Sequence, residues 1–172
     1  MKRILIVALL VLVCAGSLTA QDSKTGSVGL MFTDSFAFAG VSGELFLNKF
    51  GLGATFTFLP WGSGDAMIIL YEPGLYGRFY FADFESTMYL MGGMSYFTAA
   101  GASTDSGTLE GVDAGVVNLN TGIGYNALIG ANQATRFSIE VGPRYSSWLY
   151  DGDEVFYEGF FLHFAMYFGA TF

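Results

Sequence analysis

The end of the chain constrains its fold more than any other stretch. In FFLHFAMYFGATF, Phe160, Leu162, Phe164, Met166, Phe168, Ala170 and Phe172 are all apolar, whereas Phe161, His163, Ala165, Tyr167, Gly169 and Thr171 are mixed, small or polar. A period of two belongs to a β-strand, and only one face of this one is greasy throughout. Thirteen residues rising about 3.3 Å each and tilted about 45° cover a bilayer core of roughly 30 Å. The preceding segment repeats the pattern, with Phe137, Ile139, Val141, Pro143 and Tyr145 on one side and Arg136, Ser138, Glu140, Gly142, Arg144 and Ser146 on the other.

A soluble sandwich also alternates, so composition has to decide between the two environments. The chain has 24 Gly, 17% aromatic and only 13% charged residues, an unusual mixture for a protein solvated by water. Past the N-terminus, Gly, Thr, Asp or Glu interrupts each hydrophobic run within a few residues, which excludes a membrane helix. A bilayer could then be crossed only by a closed sheet, because hydrocarbon leaves no partner for bare strand edges.

The first residues predict export. Lys2 and Arg3 precede an apolar run from Ile4 to Cys14, followed by small and polar residues up to Ala20. This order is that of a signal peptide over residues 1–20, cleaved after Ala20 and leaving 21–172 as the barrel domain. Cys14 is the single cysteine, so the mature chain forms no internal disulfide and no thiol-based site. Val13 stands where a lipoprotein signal carries a small residue. Loss of Lys2 and Arg3 takes the formal charge from −8 to −10, and no cluster of bases offers a surface to nucleic acid.

Strands are expected over about 26–34, 37–47, 51–61, 67–81, 87–99, 113–127, 135–149 and 155–172. Polar and glycine-rich breaks separate them, the longest being 101–111. An even number of antiparallel strands brings both termini to one side. If that side is the periplasm, Asn48-Lys49 is a tight inner turn, and 101–111 and 151–154 face outward as longer loops. The fifth strand leaves its phase open, since Met88, Leu90, Met94 and Tyr96 compete with Tyr89, Met91 and Phe97 for the lipid side.

The signal peptide, the alternating strands and the aromatic series Phe160, Phe164, Phe168 and Phe172 resemble the small outer-membrane barrels of the OmpA/OmpX/OmpW type. The resemblance implies an all-β, eight-stranded antiparallel up-and-down transmembrane β-barrel. It also implies that the terminal aromatic strand is read by the barrel-assembly machinery, and it transfers no function.

A barrel of this size has an interior just wide enough for side chains or one small ligand. The less apolar faces put Gly40, Ser42, Glu44, Glu72, Gly74, Tyr76, Arg78, Tyr80, Asn118, Asn120, Asn126, Glu140 and Arg144 inside. Buried charges must pair, so Glu44, Glu72, Arg78, Glu140 and Arg144 are expected to form an ion-pair network. Glu44, Arg78 and Glu140 form a layer toward the periplasm, and Glu72 and Arg144 a layer further out. His163, the single histidine, points inward with no neighbouring Ser or Asp in sequence, which suits a satisfied lumen side chain better than a metal ligand or catalytic base. Gly122-Ile123-Gly124 and Gly51-Leu52-Gly53 lack the helix and lysine of a phosphate loop. Pro60 fits a strand end and Pro73 a bulge.

The outer ends carry Asp34, Asp65, Asp105, Glu110, Asp113, Asp151, Asp153, Glu154 and Glu158, while Lys24, Lys49 and Arg136 fall toward the periplasm. Such a rim attracts cations or basic partners. The resulting expectation is a monomeric, non-enzymatic surface or structural protein of a bacterial outer membrane, without cofactor or metal. A narrow porin-like channel, or a carrier of small apolar molecules, is the first alternative, and a lipid-modifying enzyme the second.

Overall fold

The computed structural model describes residues 24–34, 39–63, 66–82, 86–103, 109–130, 132–150 and 154–172. The expected signal peptide, 1–20, lies outside them. The strands are β1 (Gly26–Thr33), β2 (Ala39–Leu47), β3 (Phe50–Ser63), β4 (Ala66–Tyr80), β5 (Ser86–Ser103), β6 (Leu109–Ile129), β7 (Thr135–Tyr150) and β8 (Glu154–Thr171). Each pairs with its neighbour in sequence, and β8 returns to β1, giving a closed barrel. All pairings are antiparallel. The seam is sealed near the termini, where the amides of Thr25 and Gly26 donate to Phe172 O and the Phe172 amide donates to Gly26 O.

Turn chemistry fixes the end that holds the termini. Asn48 adopts φ 61°, the left-handed conformation that asparagine tolerates, and the Tyr80 amide, at the end of β4, donates at 2.8 Å to Lys49 O in this β2–β3 turn. Gly130 at φ 96° and Gln133 at φ 51° shape the β6–β7 turn. At the opposite end the strands, not the loops, are long. Residues 101–103 and 109–111 continue β5 and β6, so the expected 101–111 loop is corrected to a connection over 104–108. The small residues there still pair through their backbones, Ala100 with Gly111 and Ala102 with Leu109. Pro73 makes no bulge either: Tyr71↔Thr98 and Gly74↔Ser95 keep one register, and the ladder merely skips the site where proline has no N–H to give. Register shifts fall instead at Thr98/Ala100 and Trp148/Leu149.

Inside and outside follow the pleat. Leu30, Leu45, Leu52, Leu75, Leu119, Ile139 and Phe168 point outward, and Ser27, Ser42, Thr57, Asn118, Ser138 and Thr171 are buried. β5 resolves in favour of Met88, Leu90, Met94 and Tyr96 outside, with Tyr89, Met91 and Ser95 inside.

The β1–β2 hairpin is shorter than the rest of the wall. Pairing of β8 to β1 stops at Thr33↔Ala165, and pairing of β3 to β2 stops at Gly40↔Thr57. β3 and β8 run on to Ser63 and Glu154 with ladder partners on one side only among the described residues.

Candidate functional site

The lumen holds the polar chemistry of the molecule. In the half near the termini, Glu44 on β2 is the hub. Its Oε2 lies 2.5 Å from Arg78 Nη1 and 2.8 Å from Arg136 Nη1. Tyr80 OH donates to its Oε1 at 2.5 Å, and Tyr76 OH donates to Oε2 at 3.1 Å. Arg78 reaches across to Glu140 Oε2 at 2.7 Å, which also accepts from Tyr89 OH at 2.9 Å. Two carboxylates and two guanidiniums balance, which is how buried charge is tolerated.

The Arg136 guanidinium is satisfied along its edge, and both guanidiniums have aromatic rings against their faces. Arg136 donates from Nε to Asn126 Oδ1 at 2.6 Å, from Nη1 to Ser27 Oγ at 2.8 Å and from Nη2 to Tyr80 OH at 2.6 Å. Its carbon lies 5.0 Å from the Tyr167 ring centre, and that of Arg78 lies 4.4 Å from Tyr76 and 4.7 Å from Tyr89. Cation–π attraction is strongest when desolvated. Glycines across the wall make the room: a Cβ on Gly53 would lie 2.2 Å from the Tyr76 ring and one on Gly124 2.2 Å from the Tyr89 ring.

The outer layer is built differently from the expected pair of Glu72 with Arg144. Glu72 Oε1 accepts from Ser95 Oγ at 2.5 Å and Asn118 Nδ2 at 3.0 Å. Arg144 turns to Asn120 Oδ1 at 2.8 Å, Asp34 Oδ1 at 3.3 Å and His163 Nδ1 at 2.6 Å. His163 Nδ1 also lies 3.1 Å from Asp34 Oδ1, and Nε2 lies 3.5 Å from Glu140 Oε1. Arg144 can only donate and an ionised Asp34 can only accept, so the ring's protonation decides which of them Nδ1 serves. Asp34, just beyond β1, also accepts from the Phe164 amide at 3.1 Å. Burial pushes its carboxyl up, but the contacts with His163, the Phe164 amide and the Arg144 charge outweigh that and hold it below the ordinary aspartate range.

Between the layers is a cavity of about 40 Å³ lined by Thr57, Glu72, Arg78, Asn120, Glu140 and His163 among others. That is room for a few waters, not for an organic solute. The Thr57 hydroxyl and Arg78 Nε on its wall have no hydrogen-bond partner among the described residues. Below it Tyr80, Tyr89, Asn126 and Arg136 are fully buried and fill the section.

Two residues move from where the sequence put them. Arg136, expected among the periplasmic bases, is a fully buried member of the inner network; its parity with Glu140 and Arg144 on β7 was the available signal. Asp34, expected on the acidic rim, joins the outer lumen cluster, and no local pattern announces a contact spanning 129 residues. Asp65, Asp105, Asp151 and Asp153 lie outside the described residues. Glu110, Asp113 and Glu154 are on strands, not in loops. Glu158 is exposed and accepts from Tyr145 OH. Phe160, Phe164 and Phe168 face outward.

Among the described residues no three His, Cys, Asp or Glu side chains group as metal ligands would. Among the described residues the side-chain partners of His163 are Asp34, Glu140 and Arg144, none of them a Ser, Thr or Cys.

No family model matches the chain and no curated protein matches it. Among solved structures it is similar to Ail, the attachment invasion locus protein of Yersinia pestis, at 13% identity and a TM-score of 0.41, over 86% of this chain and 96% of that one. By its own pairing the chain is the closed, eight-stranded, antiparallel barrel that the sequence led one to expect.

Proposed function

We propose that the mature chain, freed of residues 1–20, is an integral, monomeric protein of a bacterial outer membrane that acts without catalysis, as a structural element and as a surface for partners. The belt of outward apolar side chains carries this reading. Leu30, Leu45, Leu52, Leu75, Leu119, Val141 and Phe168 lie on seven different strands and all stand more than two fifths exposed, a contiguous area that lipid covers and water does not. The filled inner section argues against a standing pore, and among the described residues no Ser, Thr or Cys side chain bonds to His163 as acyl-transfer chemistry on lipid would need. The outer strands, with acids between and upon them, form the part that meets other molecules, and their charge favours cations or basic partners. The aromatic series ending at Phe172 serves as the signal for the assembly machinery.

Refolding in detergent tests the reading. The mature chain should give a β-type circular dichroism spectrum and migrate differently on gels with and without boiling. A water-soluble or helical product overturns it.

A further inference from the structure

One nitrogen in the lumen faces two partners that it cannot serve at once. His163 Nδ1 lies 2.6 Å from Arg144 Nη2 and 3.1 Å from Asp34 Oδ1. A guanidinium only donates and an ionised carboxylate only accepts, so Nδ1 serves Arg144 when it carries a lone pair and Asp34 when it carries a proton. The other ring nitrogen narrows the choice. Nε2 lies 3.5 Å from Glu140 Oε1, and a carboxylate there favours a proton on Nε2. The neutral ring therefore keeps its one proton on Nε2 and accepts from Arg144 through Nδ1. The doubly protonated ring donates to Glu140 and Asp34 together, and its charge repels the Arg144 guanidinium.

Asp34 is where that exchange meets the backbone. Pairing of β1 with β8 ends at Thr33↔Ala165. Just beyond it the Asp34 amide donates to Phe164 O at 3.0 Å, and Asp34 Oδ1 accepts from the Phe164 amide at 3.1 Å and from Thr33 Oγ1 at 3.2 Å. One carboxylate oxygen thus closes the outer end of the seam. The Asp34 side chain is 31% exposed and that of His163 only 3%, so the buried ring meets the solution at the mouth through Asp34. Around the cavity that His163 lines, the other ionisable groups among the described residues are Glu72, Tyr76 and Arg78 on β4 and Glu140 and Arg144 on β7. Neutral side chains line it from β1, β3, β5 and β6, among them Thr33, Thr57, Ser95 and Asn120. Arg78 is bound to Glu44 and Glu140, and Glu72 to Ser95 and Asn118, which leaves Asp34, Glu140 and Arg144 in contact with the ring.

We propose that Asp34, His163 and Arg144 form a proton-operated latch on the outer end of the β1–β8 seam, in which a second proton on His163 transfers Asp34 from Arg144 to the imidazolium. A charge-assisted bond from β8, the strand paired with β1, then replaces the 3.3 Å contact with Arg144 on β7,. Both side-chain and backbone bonds to Asp34 now come from adjacent residues, His163 and Phe164, and tie β1 to β8 more tightly. The seam is held hardest in mildly acidic surroundings, where an imidazole ordinarily titrates, and loses that hold when Asp34 itself is protonated. The exchange requires only the closed barrel; that it answers to the medium outside the cell rests on the membrane reading.

The test is a nuclear magnetic resonance titration of the refolded barrel in lipid nanodiscs. The ring nitrogen shifts of His163 should show one proton, on Nε2, at high pH and two at low pH. Over that same step the protection of the Phe164 amide, measured against the intrinsic exchange rate at each pH, should rise at least about threefold. Asp34→Asn keeps an acceptor for the amide but removes the charge, and should leave the ring titrating with no step in Phe164 protection. His163→Phe should lose the step as well. Heat-modifiable migration reports whether each variant has folded, and the wild-type titration decides alone where one has not. A neutral ring protonated on Nδ1, a ring that takes up no second proton before the barrel unfolds, a Phe164 step that is absent or reversed, or an equal step in Asp34→Asn overturns the proposal. None of these outcomes touches the membrane reading, which fails only with the refolding itself.

Discussion

Arg136 Nη1 lies 2.8 Å from Glu44 Oε2, and neither side chain has any exposure. Glu44 also neutralises Arg78, so Glu44→Ala strips a carboxylate from two buried guanidiniums at once. Breaking one side of a buried pair typically costs about 3–5 kcal/mol. Urea unfolding in lipid vesicles should show a loss of that order, and the double variant Glu44→Ala/Arg136→Met should lose less than the sum of the single changes. Strict additivity would mean the two groups do not act on each other.

The inner section packed by Tyr80, Tyr89, Asn126 and Arg136 predicts an electrically silent barrel. In planar bilayers the wild type should show no steady conductance, whereas Tyr89→Ala combined with Arg136→Ala should leak. Sustained wild-type current would require a path around these side chains.

The outward belt predicts a depth-dependent cost. Leu30→Arg, in mid-wall, should destabilise the vesicle-inserted barrel by about 2–4 kcal/mol, and Phe81→Arg, beyond β4 at the end that holds the termini, by about 0–1 kcal/mol. Equal costs at the two sites would show that the bilayer is not centred on this belt.

Asp34 predicts a pH effect confined to the β1–β8 seam. Its carboxyl titrates lower in the folded protein than in the unfolded chain. The stabilisation is therefore complete above the ordinary aspartate range and disappears as pH falls through the lower, folded value. The protection of the Phe164 amide, measured against the intrinsic exchange rate at each pH, should fall on acidification through that window, and in Asp34→Ala it should already be low at neutral pH with no acid step.

The fold was legible because one period of two persists along most strands, and because Gly, Asp and Asn mark the turns. β5 resisted, since Tyr and Met stand on both faces; what separates them is that Tyr89 carries a hydroxyl that reaches Glu140 and Met88 does not. Residues 101–111 read as a loop because Gly, Ser and Thr resemble turn chemistry even where their backbones pair. Glu44, Arg78 and Glu140 could be grouped from parity alone. Arg136 could have been added by the same rule, whereas Asp34 and His163 meet only through closure of the barrel, a relation that local sequence does not encode.

Tyr76 pairs across the ladders with Gly53 and Gly93, and Tyr89 with Gly124. Each ring occupies the space that a neighbour's missing side chain leaves open. Such positions cannot drift independently through evolution: a methyl gained at 53 or 124 is tolerated only after the facing ring has shrunk, and a ring lost first leaves a hole until the glycine is replaced. Homologous sequences should therefore exchange size between these partners, large for small and small for large, with the interior volume as the inherited trait and neither residue by itself.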